Sequence, residues 1–247
     1  FYWADEENNK ISNLSEFADS FLEPCHIAKM ISKYIVLAST NKQLMVLRPY
    51  QYYAVEKIYN QVKNSNKNGY IWHTTGSGKT LTSFKASQLL VSIPEVYKVV
   101  FVVDRRDLDT QTIQEFNNFK EDSVDGTTNT KSLMNQFVDG STKLMVTTIQ
   151  KLNNVITKER YTQKMNALKD KKVVFIFDEC HRSQFGETHG RIVKYFNNCQ
   201  LFGFTGTPIF AENAVKNQLG KRTTKELFGD CLHKYVITDA IRDTNVL

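Results

Sequence analysis

Apolar residues in the first quarter of the chain recur at helical intervals. Between residues 15 and 37 this spacing predicts a helix that Pro24 breaks or restarts. A second helix is predicted from Pro49 through Val62, because a proline is well tolerated in the first turn of a helix. Residues 64–69 are polar and predict a loop. We therefore expect an N-terminal helical segment ahead of the rest of the chain.

The pattern changes after residue 69, where short apolar runs alternate with stretches of helical spacing. The runs predict strands at residues 70–72, 99–103, 143–147, 173–177 and 200–204. The stretches predict helices at residues 79–92, 107–119, 149–156, 189–196 and 211–219, with a basic helix or loop at residues 157–172. Short buried strands that alternate with helices are typical of an α/β fold, in which a mostly parallel sheet forms the middle of three layers.

A glycine-containing loop, residues 73–80, joins the first of these strands to its helix. Such a loop wraps backbone N–H groups around phosphates and points a helix N-terminus at their negative charge. Lys79 is placed to reach the β- and γ-phosphates, and the hydroxyl of Thr80 is placed to bind Mg²⁺. His73 stands where the first glycine of the G-x-x-x-x-G-K-[ST] pattern is expected. The alternative is a Ser/Gly turn beside a surface lysine. We assign the phosphate cradle to six residues: Thr75, Gly76, Ser77, Gly78, Lys79 and Thr80.

A second apolar strand, at residues 173–177, ends in two carboxylates. Asp178 is a candidate Mg²⁺ ligand, largely through water, and Glu179 is a candidate to orient or deprotonate the attacking water. Acidic pairs at strand ends are often only solvated caps, but this pair follows the glycine loop by about one hundred residues. Together with Lys79, the pair predicts ATP hydrolysis. His181 is either an ordinary surface histidine or a link between nucleotide state and nucleic acid.

Composition adds two constraints. The net charge of +6 is compatible with a nucleic-acid surface without establishing one. The four cysteines show no C-x-x-C pair, so reduced thiols in a cytoplasmic protein are expected. No apolar run approaches the roughly 20 residues of a membrane span.

Several further stretches resemble the motifs of superfamily 2 helicases and translocases, in the first RecA-like lobe. Residues 47–51 resemble the Q motif, which implies that Gln51 reads the adenine edge and that Arg48 lies at the nucleotide with it. Alternatively, Gln51 simply faces solvent at a helix N-terminus. Residues 204–208 resemble motif III, which implies that Thr205 and Thr207, with His181, couple hydrolysis to movement between lobes.

Two other stretches resemble motifs that contact the nucleic-acid backbone. Residues 99–108 resemble motif Ia, which implies a DNA contact for Arg105 and Arg106, although ion pairs with neighbouring aspartates would explain the arginines equally well. Residues 146–151 resemble a later strand-to-helix element, which implies backbone contacts for Thr147, Thr148 and Gln150. Thr148 can also simply cap its helix.

Four segments resemble in sequence the motor (R, or HsdR) subunit of type I restriction enzymes: residues 72–80, 104–111, 178–184 and 204–208. In that family His73 is a normal feature of the loop. The resemblance implies ATP and Mg²⁺ as cofactors, and translocation of double-stranded DNA before cleavage. It also implies modification and specificity subunits as partners, with no membrane involved.

The same resemblance implies that this chain is one part of a larger subunit. We expect residues 1–45 to be a helical lead-in from an upstream domain and residues 46–247 to be the first RecA-like lobe. A second lobe would supply an arginine finger, so the fragment is expected to be weak or inactive alone. Two alternatives remain: the motor lobe of another superfamily 2 helicase, and a catalytically idle nucleotide- or nucleic-acid-binding module.

Overall fold

The computed structural model describes residues 2–38, 42–103, 106–119, 125–126, 129–180, 185–212 and 223–245. The helices are α1 (Leu14–Ser20), α2 (Pro24–Lys29), α3 (Pro49–Asn64), α4 (Lys79–Leu90), α5 (Arg106–Phe119), α6 (Thr130–Val138), α7 (Ile149–Thr157), α8 (Glu159–Met165), α9 (Phe185–Tyr195), α10 (Thr224–Phe228) and α11 (Ile237–Arg242). A π-helical turn at Met30–Tyr34 and a 3-10 turn at Asn166–Leu168 extend α2 and α8.

The strands are β1 (Trp3–Ala4), β2 (Lys10–Ile11), β3 (Ile35–Ala38), β4 (Gln43–Val46), β5 (Gly69–His73), β6 (Val96–Val103), β7 (Asp125–Gly126), β8 (Leu144–Thr148), β9 (Lys172–Phe177), β10 (Cys199–Thr205) and β11 (Cys231–Tyr235). Within the described residues, β5 to β11 form one sheet in the order β11-β5-β10-β9-β6-β8-β7, and every neighbouring pair is parallel. The central strands are almost wholly apolar because helices cover the sheet on both faces.

The alternation of β6 shows the three layers directly. Val99, Phe101 and Val103 join one core cluster, which also contains residues of α3, α4 and α5. Val100 and Val102 join the other, which contains residues of α6, α7 and α9. Successive side chains of a strand point to opposite faces, so one strand contributes to two cores. The predicted three-layer α/β fold with a parallel sheet is confirmed.

The lead-in is mixed rather than wholly helical. Helical residues are present between Leu14 and Tyr34, but the predicted helix ends there, and Ile35–Ala38 pairs with Gln43–Val46 as an antiparallel hairpin. Leu37 lies directly opposite Leu44 in this hairpin. The helical spacing fails at this point because strand pairing, which is not local in sequence, overrides the local pattern. Trp3 and Met30 of the lead-in pack into the same core as α3. The boundary at residue 45 stays a prediction.

The five predicted strands are confirmed to within a few residues at their ends. The sequence pattern did not predict α6, α10, α11, β11 or the short strands β1, β2 and β7, and residues 157–172 contain α8 and the 3-10 turn. Most of the predicted helix at residues 211–219 lies outside the described residues. Among the helices that the structure describes, none has both the length and the apolar character that a bilayer crossing requires.

Candidate nucleotide site

The register of the sheet brings the motif loops to one edge. Trp72 at the end of β5 lies opposite Thr205 of β10, and Phe177 at the end of β9 lies opposite Gly203 of the same strand. The loops that follow these three strands therefore leave the sheet side by side. Ligands of open α/β sheets bind at this carboxyl edge.

The phosphate loop owes its shape to two glycines in the left-handed region. Gly76 has φ of 81° and Gly78 has φ of 74°, conformations that other residues rarely adopt. Gly78 is the N-cap of α4, so the unpaired N–H groups of the first helical turn start at Lys79. The hydroxyl of Ser77 donates to the carbonyl of Thr74 at 2.7 Å and closes the loop. This is a backbone cradle of the kind that binds phosphate.

Lys79 and the two carboxylates meet beside this cradle. Lys79 Nζ lies 3.3 Å from Glu179 Oε1, and only 10% of the lysine side chain is exposed. Glu179 has φ of 47°, an uncommon value for a residue with a side chain, and its N–H donates to Asp178 Oδ1 at 3.0 Å. Backbone outliers of this kind cluster at functional sites. The structure thus brings together the three residues predicted to be catalytic.

The electrostatics of Asp178 favour a cation. Burial, and then the neighbouring charge of Glu179, raise the pKa of Asp178 to about 6, although Lys79 lowers it. A second positive charge would relieve the repulsion between the two carboxylates. Thr80 lies in the first turn of α4, where the predicted Mg²⁺ contact requires it. Among the described residues no group of three or more His, Cys, Asp or Glu side chains could hold a metal. Mg²⁺ at nucleotide sites typically takes only one or two carboxylates, with phosphates and water, so this donor set fits it.

The turn after β10 rests against the phosphate loop. Thr205 is buried and its Oγ1 accepts from the N–H of Thr207 at 3.1 Å. A Cβ built on Gly206 would lie 3.3 Å from the backbone nitrogen of Thr75. The carbonyl of Gly206 accepts from Trp72 Nε1 at 3.2 Å. Thr205 and Thr207 therefore belong to a turn that lies next to the phosphate loop, and their coupling role stays a prediction.

Gln51 and Tyr50 reach the loop from the first turn of α3. Gln51 is buried, so the solvent-facing alternative is wrong. Its Nε2 donates to the carbonyl of Ser77 at 3.2 Å and of Gly78 at 3.3 Å, and its Oε1 accepts from the N–H of Arg48 at 2.9 Å. Tyr50 Oη donates to the same Ser77 carbonyl at 2.8 Å. These bonds hold the loop, and adenine recognition by Gln51 stays a prediction.

A cavity of about 320 Å³ opens beside this turn. Arg48, the N-cap of α3, lines it and donates a hydrogen bond to Asn245 Oδ1. Among the described residues, the lining consists of Tyr2, Val46, Leu47, Arg48, Pro49 and Asn245. Apolar surface with a few polar groups is the usual composition of a ligand pocket. Tyr2 and Asn245, which come from opposite ends of the chain, carry no motif that marked them.

The residues predicted to contact DNA lie in different surroundings. Thr148 is the N-cap of α7, where its Oγ1 accepts from the N–H of Lys151 at 3.3 Å, which confirms the capping role. Thr147 is buried in β8, and Gln150 is exposed on the first turn of α7. Their DNA contacts stay predictions. The side chain of Arg106, the first residue of α5, is not described, and both Arg105 and His181 lie outside the described residues.

His73 has a structural role that the loop pattern did not reveal. The ring is completely buried, and its Nε2 lies 3.0 Å from Nδ1 of His233 in β11. Burial lowers the pKa of His73 well below its usual value and lowers that of His233 to about 4, so both rings are neutral at pH 7. Parallel pairing of β5 with β11 places Tyr235 opposite His73. The imidazole of His73, at the first glycine position of the pattern, therefore links the start of the phosphate loop to β11.

The fold, the glycine loop and the paired carboxylates define a P-loop ATPase, and a family model described as SWI2/SNF2 ATPase matches residues 50–247. Two DNA-bound Type ISP restriction-modification enzymes have the same fold. LlaGI, a nuclease-deletion mutant with a DNA substrate mimic, aligns with a TM-score of 0.61 at 21% identity over 81% of this chain and 21% of its own. LlaBIII aligns with a TM-score of 0.60 at 20% identity over 85% of this chain and 17% of its own. This fold is the RecA-like helicase fold.

Relatives with similar sequences show to which family of ATPases the chain belongs. The type I restriction enzyme SsaAORF53P endonuclease subunit of Staphylococcus saprophyticus is 56% identical over the whole chain, which covers 26% of that relative. A Mycoplasma pneumoniae protein assigned as the C-terminal part of a type I restriction enzyme endonuclease subunit is 48% identical over 78% of this chain and 99% of its own length. The chain belongs to the family of type I restriction enzyme endonuclease subunits, and it spans about a quarter of the length of its staphylococcal relative.

Proposed function

We propose that this chain is the first motor lobe of a type I restriction enzyme R subunit, which hydrolyses ATP to translocate double-stranded DNA before cleavage. The observation that carries the proposal is the convergence of Lys79, Asp178 and Glu179 beside a glycine loop whose backbone fits phosphate. The DNA named in the LlaGI and LlaBIII complexes supports a DNA substrate. We place the protein in the cytoplasm, where its four cysteines, all free thiols here, stay reduced.

The residues divide the work by position. The loop from Thr75 to Gly78 cradles the phosphates, and Lys79 neutralises the charge that develops on the γ-phosphate. Thr80 and Asp178 would hold Mg²⁺, which would supply positive charge to offset the negative charge of the phosphates. These roles leave a separate residue to act on water.

Glu179 is that residue. Its carboxylate lies at the open end of the site, 26% exposed, where it can accept a proton from an attacking water. The nucleobase would occupy the cavity lined by Arg48 and Pro49, where Gln51 accepts from the N–H of Arg48. Thr205 and Thr207 then transmit the state of the phosphates to a second RecA-like lobe, which completes the site.

DNA and partner subunits complete the proposal. Gln150 is exposed at the start of α7, where its side chain and the N–H groups of the helix can bind phosphates of the duplex. Thr147 and Thr148, which are buried beside it, are assigned to the same contact from sequence. Arg105 and Arg106 are assigned to the same role from sequence. The modification and specificity subunits supply site recognition.

Lys79→Ala in the full-length subunit, assembled with its modification and specificity subunits, tests this function. We expect DNA-stimulated ATPase activity to fall by about 100-fold or more, the scale of losing one preorganised donor to transition-state charge. Lys164→Ala, on the exposed face of α8, is the matched control and should retain activity. Undiminished turnover in Lys79→Ala contradicts the proposal.

Two further assays separate the alternatives. Displacement of a triplex strand by the advancing wild-type enzyme, without separation of the duplex, indicates a duplex translocase. Strand separation without triplex displacement indicates a helicase of another branch. ATP binding without turnover by the complete wild-type assembly indicates an idle module and overturns the proposed hydrolysis.

A further inference from the structure

Asp243, just beyond α11, is a buried carboxylate that four side chains approach, one of them Arg242, whose Nε lies 3.6 Å from Oδ1. Its Oδ2 accepts from Tyr2 Oη at 2.9 Å and from Tyr235 Oη at 3.1 Å, and its Oδ1 lies 3.1 Å from Lys10 Nζ. Burial raises the pKa of Asp243, but the hydrogen bonds from Tyr2, Lys10 and Tyr235 outweigh it and hold that pKa below its usual value. The carboxylate is therefore ionised at neutral pH. Tyr2 and Lys10 come from the lead-in, more than two hundred residues away in the sequence.

One path leads from Asp243 to the phosphate loop. The ring of Tyr235 stacks on the ring of Tyr50, with centroids 3.7 Å apart and planes inclined by 10°. Tyr50 Oη donates to the carbonyl of Ser77, and the backbone carbonyl of Tyr235 accepts from the N–H of Thr74 at 2.9 Å. Tyr235 thus contacts the loop directly at Thr74 and, through Tyr50, at Ser77. Stacked aromatic rings of this kind bury a large shared area and attract each other beyond that burial.

A second path leads to the proposed base cavity. Asn245 Nδ2 donates to Tyr235 Oη at 2.7 Å, while Asn245 Oδ1 accepts from Arg48. The hydroxyl of Tyr235 therefore accepts from Asn245 and donates to Asp243. The two paths share Tyr235, so this one residue is linked both to the phosphate loop and to the cavity beside Arg48.

Further bonds fix the lead-in to the same structure. Asn8 Nδ2 donates to the carbonyl of Lys234 in β11 at 2.9 Å, and Arg242 Nη2 donates to the carbonyl of Asn8 at 2.7 Å. The N-terminal residues are thus joined by side-chain bonds to both β11 and α11. A lead-in that was only a linker would not need to satisfy buried groups of the lobe.

We propose that Asp243, Tyr235 and Tyr2 are positioning residues of the nucleotide site, through which the lead-in sets the placement of the phosphate loop and of Arg48. The inference rests on the proposed ATPase function and goes beyond it, because none of these residues touches the reacting atoms. Removing the charge of Asp243 leaves the hydroxyls of buried Tyr235 and half-buried Tyr2 without their charged acceptor. Hydrogen bonds to a charged group are the stronger class, so this is the weak point of the network.

The test compares Asp243→Asn, Tyr235→Phe and Tyr2→Phe in the full-length subunit. We expect the KM for ATP and the Kd for a fluorescent ADP analogue to rise by about 5- to 30-fold in Asp243→Asn, the scale of one or two lost hydrogen bonds. Smaller rises are expected in the two phenylalanine variants, which keep the rings in place. The kcat at saturating ATP should change by less than the KM, because Lys79, Asp178 and Glu179 are untouched.

Asp239→Asn is the matched control. Asp239 lies on α11, one turn before Asp243. It accepts from the N–H of Val236 at 3.0 Å and pairs with Arg242 at 3.2 Å, and none of its described bonds goes to Tyr235 or Tyr2. It should lower the midpoint of thermal unfolding without raising the KM. Equal KM values in Asp239→Asn and Asp243→Asn at equal loss of stability would show a merely structural role and overturn the inference.

Two outcomes separate this inference from the proposed function. If the wild-type enzyme hydrolyses ATP and both Tyr2→Phe and Tyr235→Phe have wild-type KM and Kd values, the positioning role alone is overturned. A wild-type assembly that binds the ADP analogue but hydrolyses no ATP overturns the proposed function, and the Kd series then still decides the positioning role. The phenylalanine variants keep the test decisive if Asp243→Asn does not fold.

Discussion

The phosphate loop and the structure that supports it differ in how the sequence encodes them. The groups that face the nucleotide come from two short segments, residues 73–80 and 178–179, and each residue type follows from the chemistry of phosphate, Mg²⁺ and water. The supporting residues Tyr50, Tyr235 and Asp243 are spread over nearly two hundred positions and are joined only by folding. Groups that face a ligand must be close together in few loops, whereas groups that hold those loops can come from anywhere in the chain. Substitutions in the two regions should therefore have different effects on kcat, KM and stability.

The largest effect is expected within the loop region, in Glu179→Gln. The amide keeps the shape and can still accept from Lys79, but it cannot take a proton from water. We expect kcat for ATP hydrolysis by the full-length subunit to fall by about 100- to 10,000-fold while the KM stays within a few-fold. Glu159→Gln, on exposed α8, should behave as wild type. A large rise in KM with little loss of kcat would assign Glu179 to binding and remove the contrast with the support residues.

Gly203→Ala probes a support that lies directly behind the carboxylates. A Cβ on Gly203 would lie 2.5 Å from Cys180 Sγ, and Cys180 is held by the bond from its N–H to the carbonyl of Phe204 at 3.0 Å. We expect the free energy of unfolding to fall by about 1–3 kcal/mol, as overpacking of a core does. Chemical denaturation of the 247-residue chain measures it.

Two variants calibrate that result. Cys180→Ala combined with Gly203→Ala removes the sulfur and should recover a large part of the loss. Gly190→Ala, on an exposed face of α9 where a Cβ meets nothing within 4 Å, should not destabilise the chain. Equal stability of Gly203→Ala and Gly190→Ala would mean that the turn carrying Asp178 and Glu179 is not held by packing.

What the sequence could predict follows the same division. The strands, the parallel sheet and the placement of Lys79, Asp178 and Glu179 at one edge follow from local patterns. Edge strand β11 was missed because its pattern, Cys231 to Tyr235, is interrupted by His233 and Lys234. The hairpin of the lead-in was missed because Ile35–Ala38 continues an apparent helical spacing. His73 departs from the loop pattern, but its partner His233 is 160 positions away, and no local signal joins them.

Asp178→Asn should separate stability from function. The pKa of Asp178 is raised to about 6 from its usual 3.8, so the folded state disfavours the charged form. This carboxylate therefore lowers the free energy of unfolding progressively as the pH rises from about 4 to about 6, and by a constant amount above that. Asn should stabilise the ligand-free chain at pH 7 by about 1–2 kcal/mol and by nothing near pH 4. Thermal unfolding across this range measures the difference.

The same variant should lose ATPase activity in the full-length subunit, because a neutral amide is a poorer ligand for Mg²⁺ than a carboxylate. A gain in stability with a loss of activity is the expected mark of a residue in the loop region. A pH-independent loss of stability would show that Asp178 is a structural group and belongs with the supports.

Tyr50→Phe tests the smallest difference, a single hydrogen bond between the two regions. It removes the donor to the Ser77 carbonyl but keeps the ring that stacks on Tyr235. Gln51 Nε2 still donates to that carbonyl at 3.2 Å, so the acceptor is not left unpaired. We therefore expect a rise in the KM for ATP of only about 2- to 10-fold, with kcat within twofold.

Tyr53→Phe is the matched control, because its hydroxyl donates to the carbonyl of Ala4 in the lead-in at 3.2 Å instead of to the loop. If Tyr50→Phe and Tyr53→Phe gave the same KM, the loop would be held by the rings and the backbone alone. The hydroxyl of Tyr50 would then have no part in linking the support to the nucleotide site.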